Sequence, residues 1–131
     1  MWSKRKKEYR YHKEFLRDYM NESCSKGAVN ERINWLLDHL KEYLERFFGF
    51  AHLHDSDTES LFGGQAWLSV VIAIECIDEE KNGCSNDAFM SCWDNVRSSI
   101  HEIRGLHKET LLEREQSLYD GIADSKALLR L

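Results

Sequence analysis

Residues 28–48, AVNERINWLLDHLKEYLERFF, decide the fold. Val29, Ile33, Leu36, Leu37, Leu40, Leu44, Phe47 and Phe48 recur at three- and four-residue steps, with charged and polar residues between them. At about 100° per residue these positions form one continuous apolar stripe, the signature of an amphipathic helix that must bury one side. Gly49 follows at once and is expected to cap the helix, because glycine takes a left-handed conformation without steric cost.

The same periodicity extends in both directions. Upstream, a helix is expected over about 3–20, with Tyr9, Phe15, Leu16, Tyr19 and Met20 on one arc and a loop over 21–27. Downstream, a helix over about 58–81 is apolar nearly all round in its middle, Trp67–Ile77, as befits a central element. Gly63-Gly64 near its start suggests close packing or a bend. A fourth helix over about 86–104 is capped by Ser85 or Asn86 and turns Phe89, Trp93, Val96, Ile100 and Ile103 inward. A last helix over about 107–129 carries Leu111, Leu112, Leu118, Tyr119, Ile122 and Leu129 on one side, weakened by Gly121.

There is no proline in 131 residues, where average usage of ~5% would give about six. With no residue that must break a helix, the expected fold is all-α: a compact single-domain bundle of four to five helices. Length suggests one domain, 1–131, with enough chain for a core without staples.

Composition excludes several classes. Apolar residues make up 42% and charged residues 31%, with a net charge of −5, so a general affinity for nucleic acid or anionic lipid is not expected. No apolar run is long enough to span a bilayer, and the first 20 residues give no uninterrupted apolar region, so no secretory signal is expected. A cytoplasmic protein is expected, with Cys24, Cys76, Cys84 and Cys92 as free thiols and no Cys-x-x-Cys pair for zinc. No phosphate loop, nucleophile elbow or dinucleotide motif occurs, and no cofactor is implied.

Charge is distributed unevenly. Residues 1–17 carry a net +5 and the remainder −10. Lys6, Arg10, Lys13 and Arg17, at steps of four, three and four, form a basic stripe interleaved with Tyr9 and Tyr11. Such a stripe suits an acidic partner or a phosphate backbone, or folds back on the chain's own acidic surface. His52, His54, Asp55 and Asp57 crowd the longest polar connection and are candidate metal ligands, since H-x-H in an extended segment permits chelation; capping of the next helix by Ser56 or Asp57 is the competing account.

Arg97, His101, Arg104 and Lys108 form a second cationic stripe. In residue type, Arg97 and His101 resemble the arginine–histidine pair of HEPN-type ribonucleases, which are small helical bundles. That resemblance implies His101 as general base beside a phosphate-binding Arg97. In that family four to six residues separate the two, whereas Ser98, Ser99 and Ile100 alone separate them here. Glu42/Glu45 and Glu75/Asp78 superficially resemble the acidic pairs of MazG-like pyrophosphatases, but Glu42 and Glu45 lie opposite the apolar stripe, facing water.

The function expected from sequence is therefore protein–protein interaction, as an adaptor, inhibitor, immunity-type or assembly subunit. Trp2, Tyr9, Tyr11 and Tyr43 exceed what a small core needs, and such residues are enriched at interfaces. Self-association through the wide seam of residues 28–48 is a second version of the same reading. The alternatives are a nucleic-acid binder using the basic stripe, and a helical ribonuclease or metal-dependent enzyme.

Overall fold

A computed structural model describes residues 4–54 and 58–130, and among them there is no strand. Seven α-helices follow in order: α1 (Lys4–Ser23), α2 (Val29–Leu53), α3 (Thr58–Phe62), α4 (Gln65–Glu80), α5 (Asp87–Glu102), α6 (Lys108–Glu113) and α7 (Glu115–Leu129). Single 3-10 turns, Lys81–Gly83 and Ile103–Gly105, end α4 and α5. Five of the helices are long and two are short, so the expected bundle is present with two extra breaks.

The stripe of α2 forms the centre of the core. Ile33, Leu36, Leu37, Leu40, Leu44, Phe47 and Phe48 are all at most 1% exposed. Each such side chain contributes roughly 1.5–3 kcal/mol by leaving water. The main neighbour of α2 is α4, which buries Trp67, Val70, Ile72, Ala73, Ile74, Cys76 and Ile77 on several sides, as a central helix does. The second large pairing is α5 with α7, where Phe89, Trp93, Val96 and Ile100 are buried together with Leu118, Ile122 and Leu129. The seam of α2 is thus spent inside the molecule, which removes the ground for self-association through it.

Three elements differ from the sequence reading. The second helix does not stop at Gly49 but continues to Leu53. Among the described residues none has a positive φ, so Gly49 is used as an ordinary helical residue. Burial of Ala51, at 0% exposed, holds the extra turn against the core and outweighs the ~1 kcal/mol cost of a helical glycine. The helix expected over 58–81 is two helices. Gly64 is extended (φ −89°, ψ 171°) and starts α4, and the break lets Phe62 meet Trp67 edge to face at 4.7 Å. Similarly, the last helix is divided at Arg114, with no glycine or proline at the break. At α5 the cap is Asn86, whose Oδ1 accepts from the Phe89 amide at 2.9 Å.

Gly121 is required where α7 crosses α5. A Cβ there would lie 2.8 Å from Val96 Cγ2. Two charged clusters tie the helices together. Arg32, 8% exposed, forks onto Glu80 (3.0 and 2.8 Å) and also donates to Asn21 Oδ1 (2.9 Å), joining α2, α4 and α1. Asp78 accepts from Trp93 Nε1 (2.8 Å) and Arg97 Nε (2.7 Å), with Lys81 Nζ at 3.3 Å, joining α4 to α5. Burial pushes the Asp78 carboxyl up, but these donors and cations outweigh it and hold it below its ordinary range.

Candidate interaction surface

α1 presents three faces. Leu16 and Met20 are buried, as is Cys24 just after the helix, and Tyr9 packs partly against the core. Beside them runs the basic stripe, and the structure divides it. Lys13 Nζ lies 2.7 Å from Glu79 Oε1 and 3.3 Å from Glu75 Oε2 of α4, and Arg17 also bonds Glu79. Burial raises the Glu79 carboxyl, but hydrogen bonds from Arg17 and Lys13 more than reverse this and hold it low. Glu75 is instead raised, chiefly by burial and then by Glu79 and Asp78 nearby. Half of the stripe therefore docks α1 on α4. Of the rest, Arg10 pairs with Glu14 at 3.5 Å in the open, and Lys6 is exposed.

The third face is aromatic. Tyr11, Phe15 and Tyr19, at four-residue steps, are 65%, 61% and 48% exposed. The sequence reading had Phe15 and Tyr19 facing the core. They do not, because the core contact of α1 is a narrow strip through Leu16 and Met20.

α2 carries a matching ridge. Tyr19 sits edge-on to Trp35 (5.1 Å between ring centres) and to His39 (5.7 Å). Trp35 and His39 lie 3.8 Å apart at 30°, His39 meets Tyr43 at 6.1 Å, and the Arg46 guanidinium stands 6.0 Å from the Tyr43 ring. His39 Nδ1 is 2.9 Å from the Trp35 carbonyl oxygen. A carbonyl only accepts, so Nδ1 is the donor in this contact. Burial, then Glu42, pushes the Tyr43 phenol up, keeping it a donor at neutral pH. Phe50 and Leu53, 48% and 84% exposed, continue the ridge at helical spacing, with Phe50 stacked on His54 at 3.9 Å. From Trp35 to Leu53 is about 27 Å at 1.5 Å per residue. Among the described residues, every large apolar side chain that is exposed lies on α1 or α2.

The other sequence candidates are dispersed. His52 belongs to the last turn of α2, and its Nε2 lies 3.0 Å from Glu115 Oε1 on α7, while Glu115 Oε2 accepts from Tyr119. His54 stacks on Phe50, and its carbonyl accepts from Lys108. The two histidines therefore have separate partners, and Asp55 and Asp57 lie outside the described residues. No group of three His, Cys, Asp or Glu placed to hold a metal ion occurs among the described residues. Arg97 is engaged by Asp78. Burial, then the Arg97 charge, lowers the His101 imidazole, with Asp78 opposing, so it is neutral at pH 7. Burial pushes the Cys76 thiol up to about 11, leaving it an inert core group.

One cavity of about 290 Å³ brings together Glu8 and Tyr9 of α1, the Gly63-Gly64 turn, Trp67 and Arg104. Among the described residues no helix is long and apolar enough to cross a membrane. The chain matches no family model, no curated protein and no solved structure.

The ridges were readable in principle. Tyr11–Phe15–Tyr19 and Trp35–His39–Tyr43 are both four-residue ladders. What the sequence could not supply was the rotation of α1 that leaves the first ladder outside and sets it against the second.

Proposed function

We propose that this chain is a protein-interaction module whose binding surface is the aromatic face of α1 and α2, not the basic stripe. The observation that carries the reading is that, among the described residues, the exposed large apolar side chains are confined to these two adjacent helices. Scattered exposed apolar residues are ordinary, but a contiguous patch is a mark of an interaction site. Taking roughly 200 Å² per aromatic ring, Tyr11, Phe15 and Tyr19 alone offer about 350 Å². Trp35, His39, Tyr43, Phe50 and Leu53 extend this toward the ~800 Å² per side of a standard interface. Tyrosine and tryptophan are also the side chains that most often dominate binding energy, because they are large, stiff and tipped with a donor. Meanwhile two of the four cations proposed for nucleic acid are engaged by Glu75 and Glu79, which leaves that reading a smaller footprint.

The test is the variant Tyr11→Ser, Phe15→Ser, Leu53→Ser. It removes exposed apolar surface only, so circular dichroism and melting temperature should stay close to wild type. Capture of a specific partner from the native cell should fall at least tenfold. Unchanged capture, or capture of nucleic acid with a steep salt dependence, would refute the reading.

A further inference from the structure

The patch carries a definite charge. At 100° per residue, Asp18 and Glu22 fall on the side of α1 that bears Tyr11 and Phe15, and Glu31 precedes Trp35 by one turn on α2. All three carboxylates are exposed, and none enters an ion pair among the described residues. Glu42 is on the same side but is held by Arg46 at 2.6 Å. The cations that the same spacing puts on this side are Lys4 and Lys7, at the start of α1, and that engaged Arg46. Lys13 and Arg17 point the other way and pair with α4. The face is therefore aromatic and anionic, although the first 17 residues of the chain carry a net +5.

We infer that the partner of this surface is a basic amphipathic helix, with apolar side chains for the two aromatic ladders and Lys or Arg for Asp18, Glu22 and Glu31. The inference rests on the interaction-surface reading above. Two ladders at four-residue spacing on neighbouring helices make ridges of the kind another helix packs against. Cations are attracted both to the three carboxylates and to ring faces, and Arg46 over Tyr43 already shows the second contact within the chain. A second copy of this chain is disfavoured as the occupant. Two-fold pairing of the face with itself would bring Asp18, Glu22 and Glu31 against the same three residues.

The experiment uses two synthetic 18-residue helical peptides, one of Leu and Lys on opposite faces and one of Leu and Glu. Each is fluorescently labelled and titrated with the full chain at 0.15 M salt. The Leu/Lys peptide should bind at least tenfold more tightly than Leu/Glu, and Phe15→Ser with Tyr19→Ser should weaken it at least tenfold. Reversal at Asp18→Lys, Glu22→Lys and Glu31→Lys should invert the preference. An equal reversal on other helices, Glu102→Lys, Glu113→Lys and Asp124→Lys, should leave it within threefold. If both triple reversals act alike, the peptide is reading net charge and the inference is overturned. Preference for Leu/Glu at the same aromatic residues overturns the charge inference while the interaction surface stands. If neither peptide binds, the inference falls; capture from the native cell that still depends on Phe15 then shows that it falls alone.

Discussion

Substitution of Gly121 by alanine should change sign with its neighbour. In the middle of a helix, alanine is favoured over glycine by about 0.5–1 kcal/mol. At Gly121 the new Cβ would lie 2.8 Å from Val96 Cγ2, closer than such atoms approach. Val96 is 5% exposed and sits on α5, where a β-branched side chain has essentially one rotamer, so it cannot swing aside. Overpacking of this kind costs about 1–3 kcal/mol. Gly121→Ala should therefore destabilise by roughly 0–2.5 kcal/mol net. With Val96→Ala in place the clash is gone and only the helical preference remains. The same Gly121→Ala change should then stabilise by about 0.5–1 kcal/mol. The coupling between the two sites, about 1–3 kcal/mol, is of the size expected for residues in contact. Urea unfolding of the four proteins of the cycle measures it. Equal effects of Gly121→Ala in both backgrounds would refute the claim that glycine is there for the α5–α7 approach.

Other consequences follow from the same contacts. Gly49→Ala should raise stability by about 0.5–1 kcal/mol, because a Cβ there meets nothing within 4 Å and the residue is helical; a fall in melting temperature would contradict helix continuity through residue 49. Lys13→Glu with Arg17→Glu should lower stability by about 1–2 kcal/mol, less at high salt, the figure discounted for the partial exposure of these pairs. The Asp78 carboxyl is held below its ordinary value of 3.8, so its contribution is complete above that value and lost as pH falls through the folded value. Stability against urea should therefore decline below about pH 4, and Asp78→Asn should flatten that decline while lowering stability at pH 7.

The core was legible because burial imposes a period. Eight apolar residues of α2 fall on one stripe, and seven of them, with Ala51, are the most deeply buried side chains of that helix. The bend at Gly63-Gly64 was legible as well, since paired glycines weaken a helix wherever they fall. Gly49 misled because glycine permits a cap without demanding one, and the buried Ala51 carries the helix onward. That single turn also moves His52 off the expected loop and onto a helix, within reach of Glu115, while Asp55 and Asp57 lie outside the described residues. On α1 the 100° rule places Phe15, Leu16, Tyr19 and Met20 on one broad arc but cannot say which half meets the core. Partners distant in sequence decide that. Glu75 and Glu79 draw in Lys13 and Arg17, Leu16 and Met20 seat in the core, and the aromatic half is left in water. The basic stripe was visible as a spacing, while its neutralisation depends on pairs about sixty residues apart.

The most direct test of the interaction surface places a photo-crosslinking amino acid at Phe15 in the native cell, with matched placements at His101 on α5 and Asp124 on α7. All three positions are exposed, so incorporation should leave the fold intact. The surface described here predicts a discrete crosslinked protein species from position 15, absent from the other two and lost when Trp35→Ser and Tyr43→Ser are added. Crosslinks of equal yield from all three positions, or a species from position 101 or 124 alone, would contradict it.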